Sequence, residues 1–379
     1  MARVVFGQGV SFITGKVGGS VFQHGSTGSV LKNWSKPANR RTISQVRSRA
    51  AQAVVAAFWT NMSSSDKSSW TSYAASHPVS DAIAGQRLIT GQNWFFKHAR
   101  QLISWGVPES VWTPVRSAGF NHPWVQAWLD DITAGGWSAT YADTQVLNRL
   151  LYKLAGIGAL DNRTIIFPMA GNAGEPFRWP VYNRGSALAP GTLYNMGSSA
   201  YYPRGVSRGV YFDGQTSHMR IPNSAADPGF PVAVHLIGVL SYPVAADSCP
   251  FGTYFATRSF YLKFAANAAS SFYVTGGNLL ATGPSPQFAS AFTVLGLSSS
   301  RRELWYDYSP VAQSAVSFTP NMPTIYIDLG CIHSSGNPVQ FCPFRMKSFS
   351  MFSAPSISRV QQVTALLKEC DDGLTGPLE

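Results

Sequence analysis

Between residues 164 and 353 the chain repeats one pattern: short runs of alternating apolar and polar residues, separated by clusters of Gly, Pro, Asn and Ser. A period of two puts successive side chains on opposite faces, which is the signature of a β-strand with one covered side. Strand candidates are 164–168, 209–213, 217–221, 232–242, 259–264, 271–275, 290–297, 302–308, 315–318, 324–330 and 344–353. A series this long, with turn signals at such short intervals, predicts an antiparallel β-sandwich or jelly roll. The 34 Gly and 24 Pro agree with many short strands and turns.

The first quarter of the chain is different. Residues 1–106 carry twelve Lys or Arg against two acids, Asp66 and Asp81, so nearly all of the net charge of +11 sits there. The remainder is close to neutral. A charged fraction of 12% is about half the usual ~25%, which suits a protein held inside an assembly more than one that diffuses alone. This split resembles an attachment segment carrying a passive domain.

Residues 1–40 read as an extended basic arm. Two strand-like runs, 19–24 and 29–34, flank Gly25-Ser26-Thr27-Gly28 and predict a hairpin. Residues 41–106 read as a helical module. Thr42 and Gln45 form a capping box at its start, and Ile43, Val46, Ala50, Ala53, Val54, Ala57 and Phe58 form an apolar stripe at helical spacing. Arg40, Arg41, Arg47 and Arg49 crowd that helix N-terminus, where cations oppose the macrodipole, so an anionic partner is expected. A second helix starts at Ser63–Asp66 and stops at Pro78, and a third spans 91–104 and ends at Gly106. Residues 107–140 read as a linker and connecting helix, with helix expected throughout 123–155 and closed by Gly156. The sandwich is assigned 141–370, with a last helix capped by Ser358 and Gln361, and 371–379 is left as a tail.

Two stretches resemble known families. Residues 15–42, GKVGGSVFQHGSTGSVLKNWSKPANRRT, followed by the helix with Arg47 and Arg49, by Trp59, Trp70 and Tyr73 and by GQNWFFKHAR, look like a family of phage and prophage proteins. The order Ile165-Ile166-Phe167-Pro168, Val181-Tyr182-Asn183, Phe212-Asp213-Gly214, Met219-Arg220-Ile221-Pro222 and Phe349-Ser350-Met351-Phe352 is similar to concanavalin-like (laminin-G-like) jelly rolls in structural proteins of tailed bacteriophages. The chain departs from that pattern where those domains carry a Tyr-x-Asn-Gly turn. Here Trp305-Tyr306-Asp307-Tyr308-Ser309 takes its place, and no family ligand site is carried over.

The chemistry-bearing residue types are sparse. Glycoside hydrolysis needs two carboxylates flanking one bond. The five Glu (109, 175, 303, 369 and 379) have no acidic partner two residues away, and Asp130-Asp131 and Asp371-Asp372 are adjacent pairs. There is no G-x-S-x-G elbow, P-loop or H-E-x-x-H. Cys249, Cys331, Cys342 and Cys370 form no CxxC pair and lack a His at zinc-ligand spacing, so they read as reduced, buried thiols. Asp213 could serve a calcium loop but is better read as the turn residue of Asp-Gly. No cofactor or metal is expected. The run 1–22 lacks an apolar core of signal-peptide type, and no segment is long and apolar enough to insert in a membrane.

The expectation is therefore a mainly β protein with an α-helical N-terminal part: an extended arm, a small helical module and a C-terminal concanavalin-like sandwich. As a function it implies a non-enzymatic virion structural protein of a tailed phage, located in the virion and homo-oligomeric. Lys16, Lys32, Trp34, Lys36, Arg40, Arg41, Arg47 and Arg49 would dock it on capsid or tail subunits. Aromatic residues between these cations favour a protein lattice over nucleic acid. The alternative is an adhesin recognising a host surface glycan through Trp305, Tyr306 and Tyr308, since sugars stack on aromatic faces. A glycoside hydrolase is the third reading.

Overall fold

A computed structural model describes residues 15–17, 20–25, 28–33, 42–81, 85–112, 121–161, 164–168, 179–183, 190–196, 201–202, 209–222, 232–240, 248–255, 258–264, 270–274, 277–278, 291–298, 301–306, 309–314, 326–334, 337–353 and 355–375. The chain divides into two compact units, Met1–Val54 and Val55–Glu379.

The first unit holds β1 (Gly15–Val17), β2 (Ser20–Gly25) and β3 (Gly28–Asn33) in one antiparallel sheet. Gly25 pairs with Gly28, so β2 and β3 form the antiparallel pair that the sequence predicts. Strand β1 was not foreseen and adds a third strand to the expected pair. Helix α1 (Ile43–Asn61) begins in this unit and ends in the second. Its capping box forms as expected: Gln45 N donates to Thr42 Oγ1 (3.3 Å) and Thr42 N to Gln45 Oε1 (3.4 Å). The apolar stripe is not a buried seam, however. Residues 42–50 are exposed, and the buried residue of α1 is Val55.

In the second unit α2 (Ser64–Ser76) is capped by Ser63, whose Oγ accepts from Asp66 N at 3.1 Å. A short hairpin, β4 (Val79–Asp81) and β5 (Gly85–Arg87), leads to α3 (Gly91–Ser104). These helices approach closely at Gly91, where a methyl group would lie 2.6 Å from the Trp70 and Thr71 backbone. Trp70, Phe95, Leu102 and Trp112 are fully buried between the helices, and burial of rings this large dominates such a small core.

The helix expected across 123–155 is two helices, α4 (Pro123–Ala134) and α5 (Tyr141–Gly156). Gly136, at φ 82°, ends α4 in a Schellman motif: Gly136 N donates to Thr133 O (2.9 Å) and Trp137 N to Ile132 O (2.8 Å). Gly158 plays the same part for α5, in place of the expected Gly156. The chain then enters β6 (Ile165–Phe167), β7 (Tyr182–Asn183), β8 (Thr192–Tyr194), β9 (Tyr201–Tyr202), β10 (Gly209–Asp213) and β11 (His218–Pro222). Next come β12 (Val232–Leu240), β13 (Ser248–Phe255), β14 (Arg258–Phe264), β15 (Ser270–Val274), β16 (Gly277–Asn278), β17 (Ala291–Ser298) and β18 (Arg301–Tyr306). The series closes with β19 (Ser309–Ser314), β20 (Tyr326–Leu329), β21 (Ile332–Ser334), β22 (Asn337–Val339) and β23 (Pro343–Ser353).

Among the described residues these strands form two nine-stranded sheets. One runs β19-β18-β17-β12-β23-β10-β9, with β6 and β7 attached beside β23; the other runs β16-β15-β14-β13-β20-β11-β8, with β21 and β22 attached beside β13. Pairing is antiparallel except between β13 and β21. The candidate strand 315–318 lies outside the described residues, whereas β13 was not foreseen because Pro250 and Gly252 interrupt its pattern.

A last helix, α6 (Ile357–Thr375), is capped by Ser356, whose Oγ accepts from Arg359 N, and not by Ser358. It continues through the segment expected as tail, because Asp371 and Leu374 are buried. Helices α4, α5 and α6 share a core with the first sheet, in which Trp128, Leu147, Leu151, Val363 and Leu367 meet Ile166 and Phe352. The Phe212 ring of β10 lies against Gly330, just past β20, so the two sheets meet at this point.

Candidate functional sites

The expected docking residues are only partly within the described residues. Lys16 lies on β1 and Lys32 on β3, while Trp34, Lys36, Arg40 and Arg41 lie outside them. Arg47 and Arg49 stand on the exposed first turns of α1. On the same turns Ile43 and Val46 are 72% and 51% exposed, so apolar and cationic side chains share this half of the helix. The whole unit, residues 1–54, contains eight Lys or Arg and no Asp or Glu.

The expected sugar contacts are not gathered into a described site. Trp305 and Tyr306 end β18, paired with Thr293 and Phe292 of β17, and Tyr308 lies outside the described residues. The register with β19 slips between Leu304 and Trp305.

A cleft of about 520 Å³ that motif reading missed lies among α2, α3, α4 and α5. Tyr73, Trp94 and Tyr141 line it, with His77, His98, Lys97 and the amides of Asn121, Gln126 and Gln145. Helical spacing builds the lining. Tyr73 and His77 stack at 3.9 Å, as do Trp94 and His98 at 5.4 Å, each pair four residues apart on its helix. Trp94 Nε1 donates to His77 O (3.2 Å), and Gln101 Nε2 donates to Gln145 Oε1 (3.0 Å), tying α2 to α3 and α3 to α5. The Lys97 ammonium sits 4.6 Å from the Trp94 ring centre. Burial, then the charges of Lys97 and His77, lowers the His98 pKa to about 3, so this imidazole is neutral. Among the described residues no carboxylate lines the cleft. Aromatic faces with amide donors and acceptors can hold a polar ligand. The sequence signal for it was the Trp70-x-x-Tyr73 and Trp94 to Lys97 spacing, visible as helix faces but not as one cavity.

Five carboxylates are held in caps, turns and ion pairs. Asp66 lies in the Ser63 cap, Glu369 pairs with Arg149 and Lys153, Asp372 with Lys368, and Asp371 accepts from Ser348 Oγ (3.1 Å). Asp213 builds the turn between β10 and β11: its Oδ1 accepts from the backbone N–H of Gln215, Thr216 and Ser217 at 2.8–2.9 Å. Partial burial acts to raise its pKa, yet these bonds together with the Ser217 hydroxyl hold the carboxyl well below the usual range. Asp213 is therefore committed to the turn, as Asp-Gly suggested.

Among the described residues no helix is long and apolar enough to cross a membrane. All four cysteines are buried free thiols.

No family model matches the chain. No curated protein matches it either. Among solved structures it is similar in part to a Trypanosoma rangeli sialidase (12% identity, TM-score 0.39, covering 57% of this chain and 34% of that one). It is also similar to the NanB sialidase of Streptococcus pneumoniae (14%, TM-score 0.33, covering 40% and 27%). A third structure concerns botulinum neurotoxin type C and its interaction with two ganglioside molecules (7%, TM-score 0.36, covering 47% of each chain). The chain spans about a third of the first, about a quarter of the second and about half of the third. At these TM-scores the likenesses carry neither a fold nor a function to this chain.

Proposed function

We propose that this chain is a non-enzymatic structural protein of a tailed-phage particle, fixed to capsid or tail by its N-terminal unit and carrying its β body outward. One observation carries the reading: residues 1–54 separate as a unit with eight cations and no anion. A field of one sign steers the unit toward an acidic protein surface. Ile43 and Val46, exposed beside Arg47, supply apolar area to bury on arrival. The three-stranded sheet offers edges for strand addition to a neighbouring subunit. Copies would assemble as a homo-oligomer set by the particle's symmetry.

In this reading the two sheets are the faces of a concanavalin-like jelly roll. Its support is the Phe212–Gly330 contact between them and the pairing of β6, the first strand, with β23, the last. The engagement of Asp66, Asp213, Asp371, Asp372 and Glu369 in caps, turns and ion pairs supports a role without turnover.

The test is incorporation. Arg47→Glu together with Arg49→Glu reverses charge on exposed positions and leaves the second unit untouched. Particles of the phage that encodes this chain should then carry far fewer copies by quantitative mass spectrometry. Normal copy number would overturn the anchoring role.

A second reading, glycan recognition, is favoured by the aromatic and amide lining of the helical cleft. Saturable binding on a glycan array, lost in Tyr141→Ala, would support it. An array with no binder would remove it.

A further inference from the structure

Strands β11 and β20 pair antiparallel with Arg220 opposite Asp328 and Met219 opposite Leu329. Alternation places Met219, Ile221, Ile327 and Leu329 on one face and His218, Arg220 and Asp328 on the other. The Arg220 fork grips Asp328 through Nε–Oδ1 (2.9 Å) and Nη2–Oδ2 (3.1 Å). Gly330, at φ 88°, turns the chain so that Cys331 joins the cluster. One ligand atom each from His218, Asp328 and Cys331 then lie within 4.8 Å of one another, and all three residues are buried, His218 at 3% exposure.

The histidine singles this cluster out. His218 Nδ1 is 3.2 Å from Thr216 O, a contact that places the ring proton on Nδ1. Nε2 is left with its lone pair, buried and without a hydrogen-bond partner. A buried acceptor left bare is costly, because it gives up its bond to water for nothing. A simple Arg–Asp ion pair accounts for Arg220 and Asp328 but leaves that nitrogen unexplained. Cys249 is a less suitable ligand, since its Sγ is 3.3 Å from Gln340 Oε1.

We propose that His218 Nε2, Asp328 and Cys331 Sγ form a binding site for a thiophilic divalent cation, Zn²⁺ foremost. Imidazole nitrogen, carboxylate and thiolate are zinc's ligand types, and three protein ligands leave a fourth position for water. Tetrahedral coordination at zinc distances needs ligand atoms about 3.5 Å apart, so closure asks for contraction of about an ångström. The Thr216 carbonyl and the Arg220 fork are already placed as the outer partners that orient His218 and Asp328. Binding replaces the S–H bond of Cys331 with a metal–sulfur bond and releases that proton to solvent, so affinity falls with falling pH. The ion would staple β11 to the chain beyond β20.

The experiment uses the full chain, stripped with chelator, and Co²⁺ as the spectroscopic probe for the zinc site. A cobalt–thiolate charge-transfer band should appear, Zn²⁺ should displace it, and Zn²⁺ should raise the melting temperature until chelator reverses it. Cys331→Ser should abolish the band and weaken Zn²⁺ binding by more than about tenfold, while Cys249→Ser should leave both unchanged. Absence of the band in the wild-type chain overturns the proposal without reliance on any variant. A band that survives Cys331→Ser in a folded chain also overturns it, by placing the metal on another thiol.

Discussion

Gly330 offers a test of how the two sheets meet. It sits just past β20 at φ 88°, and a methyl group on it would lie 2.4 Å from Cδ1 and 2.7 Å from Cγ of the Phe212 ring. Gly330→Ala therefore incurs two separable costs. The left-handed backbone costs an L-residue about 1–2 kcal/mol. Forcing the methyl into a fully buried ring costs about 1–3 kcal/mol more. Together they predict a loss of about 2–5 kcal/mol. In a Phe212→Leu background the ring is gone but the backbone strain stays, so the same substitution should cost only about 1–2 kcal/mol. Urea unfolding of the four chains, extrapolated to water, reads the coupling directly. A cost below about 1 kcal/mol in the parent chain, or an equal cost in both backgrounds, would refute the contact as the cause.

Two further effects follow from caps and buried imidazoles. Ser63→Ala removes the acceptor for Asp66 N and should lower stability by about 1 kcal/mol, read from the urea midpoint, while Ser63→Asp should keep most of it. Burial lowers the pKa of His122 to about 4 and that of His98 to about 3, against 6.5 for a free imidazole. Between those values the unfolded chain binds protons that the folded chain refuses, so stability is full above 6.5 and falls as pH drops toward 4. Each histidine contributes up to about 1.4 kcal/mol per pH unit, and urea midpoints across that window should fall less steeply in His122→Asn. Midpoints that do not move with pH would contradict the burial of both rings.

Local rules were legible where one residue decides the outcome. Thr42 and Gln45 or Ser63 and Asp66 cap whatever helix follows them, and Gly25 and Gly28 pair where their spacing predicts a hairpin. The split at Gly135-Gly136 used a signal of the same kind, but the apolar spacing on either side of it masked the stop. What sequence could not supply was register. His218 and Asp328 stand 110 positions apart and meet only because Arg220 falls opposite Asp328 in the β11–β20 ladder. The helical cleft is similar: each wall shows as a helix face, but the angle between α2–α3 and α4–α5 is set by packing. The exposed half of α1 misled in the opposite sense, since an apolar stripe says which face wants a partner and not whether the same unit provides one.

Strand β23 shows how a break in pattern can carry register. Met346, Phe349 and Met351 do not alternate strictly, and a regular strand would put Met346 on the face opposite the other two. The ladder with β12 resolves this with a bulge: Ile237 pairs with Ser348 and Gly238 with Met346, so Lys347 is the extra residue. Beyond it Phe349 lies beside Phe167 on one face, while on the other Ser348 donates to Asp371 of α6 and Phe352 enters the helical core. Deleting Lys347 should therefore do far less harm than deleting a residue from the regular part of the strand, such as Ser350. Without Lys347, Met346 and Phe349 stand two positions apart, so a regular strand keeps Met346, Phe349 and Met351 on one face, whereas loss of Ser350 forces Phe349 or Met351 onto the wrong face at about 2–5 kcal/mol. Lys347→Met keeps the residue count. It also relieves an amine whose pKa burial and then Arg345 lower, although nearby Asp371 opposes the shift, so the replacement should be close to neutral. A Lys347 deletion that lowers the urea midpoint as far as a Ser350 deletion does would show that the bulge does not set the register.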